Sequence, residues 1–388
     1  MIIRRKAAAG PFSGGQTFFA TTAKGVEEVL AREMTGLGLE GVTVEKGGVR
    51  FTGDLGACYR ANLWLRTASR ILVPLAEFPC DSPQGLYDGV RALPWDRYLT
   101  PDTTLAVEGV LRDSALTHSG FVALKTKDAI VDTLRDRFGR RPNVNPKDPD
   151  LLVNVHLARN RCTVSLDSSG SGLDRRGYRT EAGEAPLRET LAAALVLLTG
   201  WDGTVPLVDP LCGSGTILIE AALMAMNRAP GLVRERFGFQ RWPAFDAPRW
   251  RRLLDEARQA ERTTLAAPLV GYDRLEDVLV VARNNSRRAG VERFISFTEG
   301  DVRDLAPPPP PGVILTNPPY GRRLGDEEQL KPFYGQIGDV FKQRCAGYTA
   351  WLFTGGLDLA KSVGLKASRR IVLYNGPLEC RLLRYDLY

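Results

Sequence analysis

Histidine is scarce: two among 388 residues, His118 and His156. Neither has a cysteine or carboxylate constellation around it, so imidazole-centred metal sites and nucleophile–histidine triads are not expected. The six cysteines, at 58, 80, 162, 212, 345 and 380, never fall in C-x-x-C spacing. That argues against a zinc site and against a small disulfide scaffold, and reduced, buried thiols and no metal are expected. An apolar run of about 18 residues is also missing, which leaves no candidate membrane span. Met1 to Gln16 carries charge with no hydrophobic segment after it, so no secretory signal is expected and a cytoplasmic protein follows.

What is present is the composition of a globular protein, 44% hydrophobic and 25% charged, long enough for two or three domains of roughly 100 to 200 residues. The formal charge of +7 comes almost wholly from arginine, and an arginine-rich surface suits an anionic, base-bearing partner. Local clusters stand at Arg135, Arg137, Arg140 and Arg141, at Arg175, Arg176 and Arg179, and at Arg249, Arg251 and Arg252. Each alone is equally a solvated face.

Hydrophobic periodicity divides the chain. A strand at 17–23, a helix at 25–37, a hairpin turned at Gly47-Gly48 and a helix capped by Asp54 make a small α+β module, expected over residues 1–66. A second such module is expected over 67–168, with helices against a mostly antiparallel sheet and a hairpin turned at Arg159-Asn160. Residues 169–185 are rich in Gly, Ser and Arg and read as a linker. From 186 to 388 strands and helices alternate, the signature of an α/β doubly wound, mostly parallel sheet. Its seven strands are placed at 205–209, 269–273, 294–298, 313–316, 347–354, 370–374 and 378–385. Between the first two lies a charged, Trp-bearing insertion, 228–265, long enough to be functional.

Chemistry concentrates at the ends of four successive strands. The first runs into Asp209-Pro210-Leu211-Cys212-Gly213-Ser214-Gly215-Thr216, a turn whose glycines let backbone approach a ligand at a strand's carboxyl end. It lacks the Gly-Lys-Thr of a phosphate loop, and Asp209 suits a cationic ligand such as a sulfonium with a free amine better than a pyrophosphate. Asp273 ends the second strand, where a carboxylate can take both hydroxyls of a ribose. Asp301 follows the third and could read an adenine amine. Each alone reads as a helix cap, but their alignment with Asn317 on one sheet edge does not. The fourth strand delivers Asn317-Pro318-Pro319-Tyr320. Prolines keep that backbone extended and donor-free, so Asn317 and Pro318 offer oxygen acceptors for an exocyclic amine while Tyr320 stacks on the ring that bears it. Stacking uses the ring face, so the tyrosine hydroxyl is expected to be dispensable. The chemistry is that of a flipped nucleobase.

Through D-P-L-C-G-S-G-T and N-P-P-Y the sequence resembles the class I S-adenosylmethionine-dependent methyltransferases that act on amine or amide nitrogens. More closely it resembles the bacterial THUMP-domain RNA guanine-N2 methyltransferases of large-subunit ribosomal RNA type. Val164-Ser165-Leu166-Asp167, Asp174-Arg175-Arg176-Gly177-Tyr178-Arg179 and Ala185-Pro186-Leu187-Arg188-Glu189-Thr190-Leu191 extend the likeness along nearly the whole chain. The resemblance implies a ferredoxin-like leading module, a THUMP domain that holds structured RNA, and a Rossmann-like methyltransferase domain. It implies S-adenosylmethionine as cofactor, held by Asp209, Cys212, Gly213, Gly215, Thr216, Asp273, Asp301 and Asn317, with Asn317, Pro318 and Tyr320 on the target guanine. The favoured target is 23S ribosomal RNA, with transfer RNA as the alternative. The second methyltransferase domain of longer relatives is not matched, and a single modification is expected. DNA adenine-N6 or protein glutamine methylation shares N-P-P-Y but leaves the leading half unexplained. A non-catalytic RNA-binding assembly factor leaves the acidic and glycine positions unexplained.

Overall fold

The computed structural model describes residues 15–179, 187–321 and 326–388. Two sheets organise them. The first is built from β1 (Gln16–Thr21), α1 (Glu27–Gly36), β2 (Glu40–Glu45), β3 (Gly48–Gly53), α2 (Leu55–Trp64), β4 (Arg70–Pro79), α3 (Pro83–Arg91), β5 (Thr104–Arg112), α4 (Ser119–Phe138), β6 (Asn143–Val144), β7 (Leu151–Ala158) and β8 (Arg161–Asp167). Local chemistry sets the boundaries. The Asp54 carboxylate accepts from Ala57 N at 3.0 Å and starts α2. Arg159 and Asn160 both take positive φ, as a two-residue hairpin turn between twisted strands demands.

The two small modules expected on either side of residue 66 share one sheet. The strands form one eight-stranded sheet in the order β2-β3-β1-β4-β8-β7-β5-β6. The cause is the length of β4. Its first residues, Arg70 to Leu72, pair with β1, and Leu72 to Pro79 pair with β8, so one strand belongs to both halves.

The second sheet is built from α5 (Glu189–Thr199), β9 (Leu207–Asp209), α6 (Thr216–Ala225), α7 (Ala247–Gln259), β10 (Leu269–Asp273), α8 (Glu276–Arg288), β11 (Ile295–Glu299), β12 (Gly312–Thr316), α9 (Asp326–Arg344), β13 (Tyr348–Thr354), α10 (Leu357–Ser362), β14 (Arg369–Asn375) and β15 (Leu378–Asp386). All seven expected strands are present, in the order β11-β10-β9-β12-β13-β15-β14. Only β15 runs against its neighbours. β9 is shorter than the apolar pattern suggests because Pro206 has no N–H for the ladder; its carbonyl still accepts from Val313 N at 2.8 Å. The expected helix start at Pro186 lies outside the described residues, and α5 is helical from Glu189.

The segment expected to be a plain linker is built into the fold as far as it is described. Ser168 and Ser169 are fully buried, exchanging hydrogen bonds with Asn62 of α2 and with the Ile71 backbone of β4. Arg176 is buried against Glu220 of α6, with Tyr178 donating to the same carboxylate at 3.1 Å. Arg179 pairs with Glu189 at 2.6 Å. These arginines are therefore internal cross-links, and of that cluster only Arg175 is exposed. Arg135, Arg137, Arg140 and Arg249 are likewise engaged by Asp132, Asp96, Asp102 and Asp54. Among the described residues, Arg141, Arg251 and Arg252 stay exposed with no ion pair.

The 228–265 insertion packs away from the sheet it interrupts. Phe237, Phe239, Trp242 and Trp250 belong to the same apolar core as Phe18, Phe51 and Trp95 of the leading half. Tyr59 of α2 stacks on Phe239 with centroids 4.4 Å apart, and its hydroxyl accepts from Asp246 N at 3.0 Å. Arg234 donates to the carbonyls of Gly172, Ser171 and Arg175 at 2.8 to 2.9 Å. Burial pulls its pKa down to about 10, so it remains a cation, now solvated by carbonyls rather than water. The insertion is the strut that joins the two sheets.

Candidate active site

Parallel register brings four strand ends side by side. β11, β10, β9 and β12 are consecutive in the sheet, so Glu299, Asp273, Asp209 and Thr316 lie along one carboxyl edge. A cleft of about 1400 Å³ opens there, and its walls include Gly213, Asp273, Asp301, Asn317, Pro318 and Tyr320. The other four residues expected to hold the cofactor sit behind this wall. Asp209, Cys212 and Thr216 are buried, and Gly215 caps α6 with φ +79°.

Asp209 acts across strands. Its carboxylate accepts from Thr316 Oγ1 at 2.9 Å and Leu211 N at 3.2 Å, tying the last residue of β12 to the cofactor turn. Burial pushes its pKa up to about 7, and the Asp273 charge adds to the rise. Asp273 accepts from Gly213 N at 3.0 Å and from Leu275 N at 3.2 Å, which fixes its carboxylate at the lip of the cleft. Asp301 caps a short turn through Arg303 N at 2.9 Å. The Arg303 guanidinium at 2.8 Å holds the Asp301 carboxyl below its usual range. The Cys212 thiol is held protonated by burial, consistent with a small loop residue and not a nucleophile.

The side-chain oxygen of Asn317 is buried and has no hydrogen-bond partner among the described residues. An amide oxygen in that state costs about 1 to 3 kcal/mol, and Asn317 is one of the residues of the cleft wall. The loop holding it is braced from behind. Tyr334 of α9, fully buried, donates to the Pro319 carbonyl at 3.1 Å and shares a hydrogen bond with Thr354 at 2.9 Å. Tyr334 and Asn375, whose amide donates to the Tyr320 hydroxyl at 3.0 Å, were not found by sequence reasoning, since neither belongs to a motif. Phe333 of α9 and Arg274, next to Asp273, also line the cleft and belong to no motif.

A glycine turn at the first strand of a doubly wound sheet, an acid ending the second and a donor-free loop after the fourth define a class I methyltransferase. Its residues fit S-adenosylmethionine: at Gly213, with φ +53°, an added Cβ would meet no atom within 4 Å, leaving room beside the Asp273 carboxylate. The comparisons agree. Residues 176–384 match the RMKL-like methyltransferase domain, 17–72 the RlmL ferredoxin-like domain and 81–167 the THUMP domain. A candidate RNA methyltransferase of Synechocystis is 46% identical over 96% of this chain and 97% of its own length. Ribosomal RNA large subunit methyltransferase K/L of Methylococcus capsulatus is 46% identical over 95% of this chain, which spans about half (51%) of that relative. The crystal structure of the candidate methyltransferase SMU.472, complexed with S-adenosylhomocysteine, superposes with a TM-score of 0.87 at 33% identity, covering 96% of this chain and 98% of its own. The chain belongs to the RMKL-like methyltransferase family, and S-adenosylmethionine is its methyl donor.

Proposed function

We propose that this protein methylates the exocyclic N2 of a guanosine in folded RNA, with large-subunit ribosomal RNA as the favoured target, and acts in the cytoplasm. The observation that carries the reading is the unpartnered, buried oxygen of Asn317 in the cleft wall. An acceptor kept desolvated there is poised for a donor the target brings, and an exocyclic amine is such a donor. When bound, S-adenosylmethionine supplies an electrophilic methyl on a sulfonium.

The chain's own residues do the rest. Asp273 and Gly213 seat the donor, and Asp301 is placed to read its base. Asn317, helped by the Pro318 carbonyl, accepts from the amine, aims its lone pair and stabilises the positive charge that develops on it. Tyr320 supplies the face on which the extruded base stacks. No general base is required, because the methylated amine loses its proton readily to water. Asp209 supports Asn317 from behind by holding Thr316.

The RNA reading draws on the THUMP match and on the relative named for ribosomal RNA. The leading half shares its core with the insertion of the catalytic half, which favours a substrate large enough to touch both. Nucleoside mass spectrometry of ribosomal and transfer RNA from a deletion strain tests it. Loss of N2-methylguanosine from 23S ribosomal RNA is expected. A loss confined to transfer RNA would overturn the target assignment.

A further inference from the structure

β14 runs parallel to β13, with β15 between them. Its last residue, Asn375, therefore comes to the same sheet edge as Asn317. There its amide donates to the Tyr320 hydroxyl at 3.0 Å. The Tyr320 ring lies against Gly355, just past β13, where an added Cβ would come within 3.2 Å of ring carbons Cδ2 and Cε2 and 2.7 Å of Leu378. The ring is thus held at its root by the proline pair, along its edge by Gly355, and at its far end by Asn375. A ring tethered only at its root would swing about χ1 and χ2. One tethered at both ends presents a fixed plane.

β14 is itself held from outside the methyltransferase sheet. The Lys24 ammonium sits 3.8 Å from the centroid of the Tyr374 ring. Gly25, at φ +90°, approaches so closely that a Cβ there would lie 2.7 Å from the Val372 carbonyl oxygen. The strand that ends in Asn375 therefore rests on the ferredoxin-like module.

We infer that Asn375 is a positioning residue for methyl transfer, fixing through the Tyr320 hydroxyl the plane on which the target base stacks. The inference rests on the reading of Tyr320 as the stacking platform. It gives the hydroxyl a role that the reading from sequence did not. A base whose stacking plane wanders spends less time with N2 in line with the methyl, so the loss should fall on the transfer step and not on the binding of donor or RNA.

The test is a double-mutant cycle of Asn375→Ala and Tyr320→Phe, read by single-turnover transfer of labelled methyl to protein-free ribosomal RNA from cells lacking the enzyme, with donor affinity by calorimetry. Each single variant should slow transfer about three- to tenfold, in keeping with the loss of one hydrogen bond. Donor affinity and the KM for RNA should be unchanged, and the double variant no slower than either single one. Asn375→Asp, which can accept from the hydroxyl, should restore most of the rate. Wild-type transfer by Asn375→Ala, or effects that multiply in the double variant, would overturn the inference. If Asn375→Ala does not fold, Tyr320→Phe decides alone, since it removes the same contact from the other side. A wild-type rate in Tyr320→Ala would instead sink the stacking reading on which the inference stands.

Discussion

Replacing Asn317 by alanine should make the free protein more stable and the enzyme far slower. The amide oxygen is buried without a partner, and such a group costs about 1 to 3 kcal/mol relative to one that is hydrated or bonded. Removing it forfeits some packing, so a net gain of about 1 kcal/mol is the reasonable expectation. For a unit the size of the methyltransferase half that is roughly 2 to 4 °C in Tm. The same oxygen is the acceptor aligned with the reacting amine, and deleting one such preorganised contact slows transfer by about 100-fold or more. Thermal melting without donor gives the first quantity, and single-turnover transfer at saturating donor the second. Asn317→Asp keeps an acceptor and should be the gentler change in rate. A lower Tm with an unchanged rate would mean that the oxygen is a structural acceptor and that the loop is only a proline-rich turn.

Asp209 gives a pH test. Its carboxyl titrates near 7 in the fold against about 3.9 in an unfolded chain, so the native state holds a proton the unfolded chain has lost. Its contribution to stability is complete below about pH 4 and disappears as pH rises through about 7. Asp209→Asn keeps the acceptor for Leu211 N and Thr316 and should gain on the parent in Tm between pH 4 and pH 8; a difference that does not change with pH would refute this. Arg176→Met leaves Glu220 buried with its main partner gone and should cost about 3 to 5 kcal/mol in urea unfolding, whereas a loss under 1 kcal/mol would mean that Glu220 is readily neutralised. Deleting residues 1–166 uncovers Phe239, Trp242 and Trp250 and should give an aggregating protein that binds donor poorly, as seen by light scattering and calorimetry. A soluble, donor-binding fragment would show that the insertion does not need its partner.

The positions of the strands in the catalytic half could be read in advance because the central ones, β9, β12 and β13, are buried along nearly their whole length and announce themselves as apolar runs. The chemistry sits where such a run stops in a polar residue. Asp209, Asp273, Asp301 and Asn317 could therefore be assigned to one edge from topology alone. Their division of labour could not. Whether an aspartate at a strand end faces ligand or neighbour depends on one strand's register against the next. Here Asp209 faces Thr316 across the β9–β12 pair, and Asp273 faces the cleft. Tyr334 and Asn375 were invisible for a related reason: each acts on the loop from a different element, and no spacing in the chain connects positions 334 or 375 with 319 and 320.

The insertion is the larger case. Charge and length marked residues 228–265 as more than a crossover, and the arginines around them as candidates for RNA. Yet an arginine that solvates itself in backbone carbonyls, as Arg234 does, and one that meets phosphate carry the same letter in the sequence. What separates them is whether aromatic neighbours have a surface to bury against. Phe237, Phe239 and Trp250 find that surface on Tyr59 and the core of the leading half. Arg234 beside them is drawn inward, while Arg137, Arg140, Arg141, Arg175, Arg251 and Arg252 are the exposed members of the clusters. The same packing couples the leading module to the reactive edge, through the insertion on one side and through Lys24, Tyr374 and β14 on the other. RNA held by the leading half is then held in fixed relation to Asn317 and Tyr320, which is what a reaction governed by alignment requires.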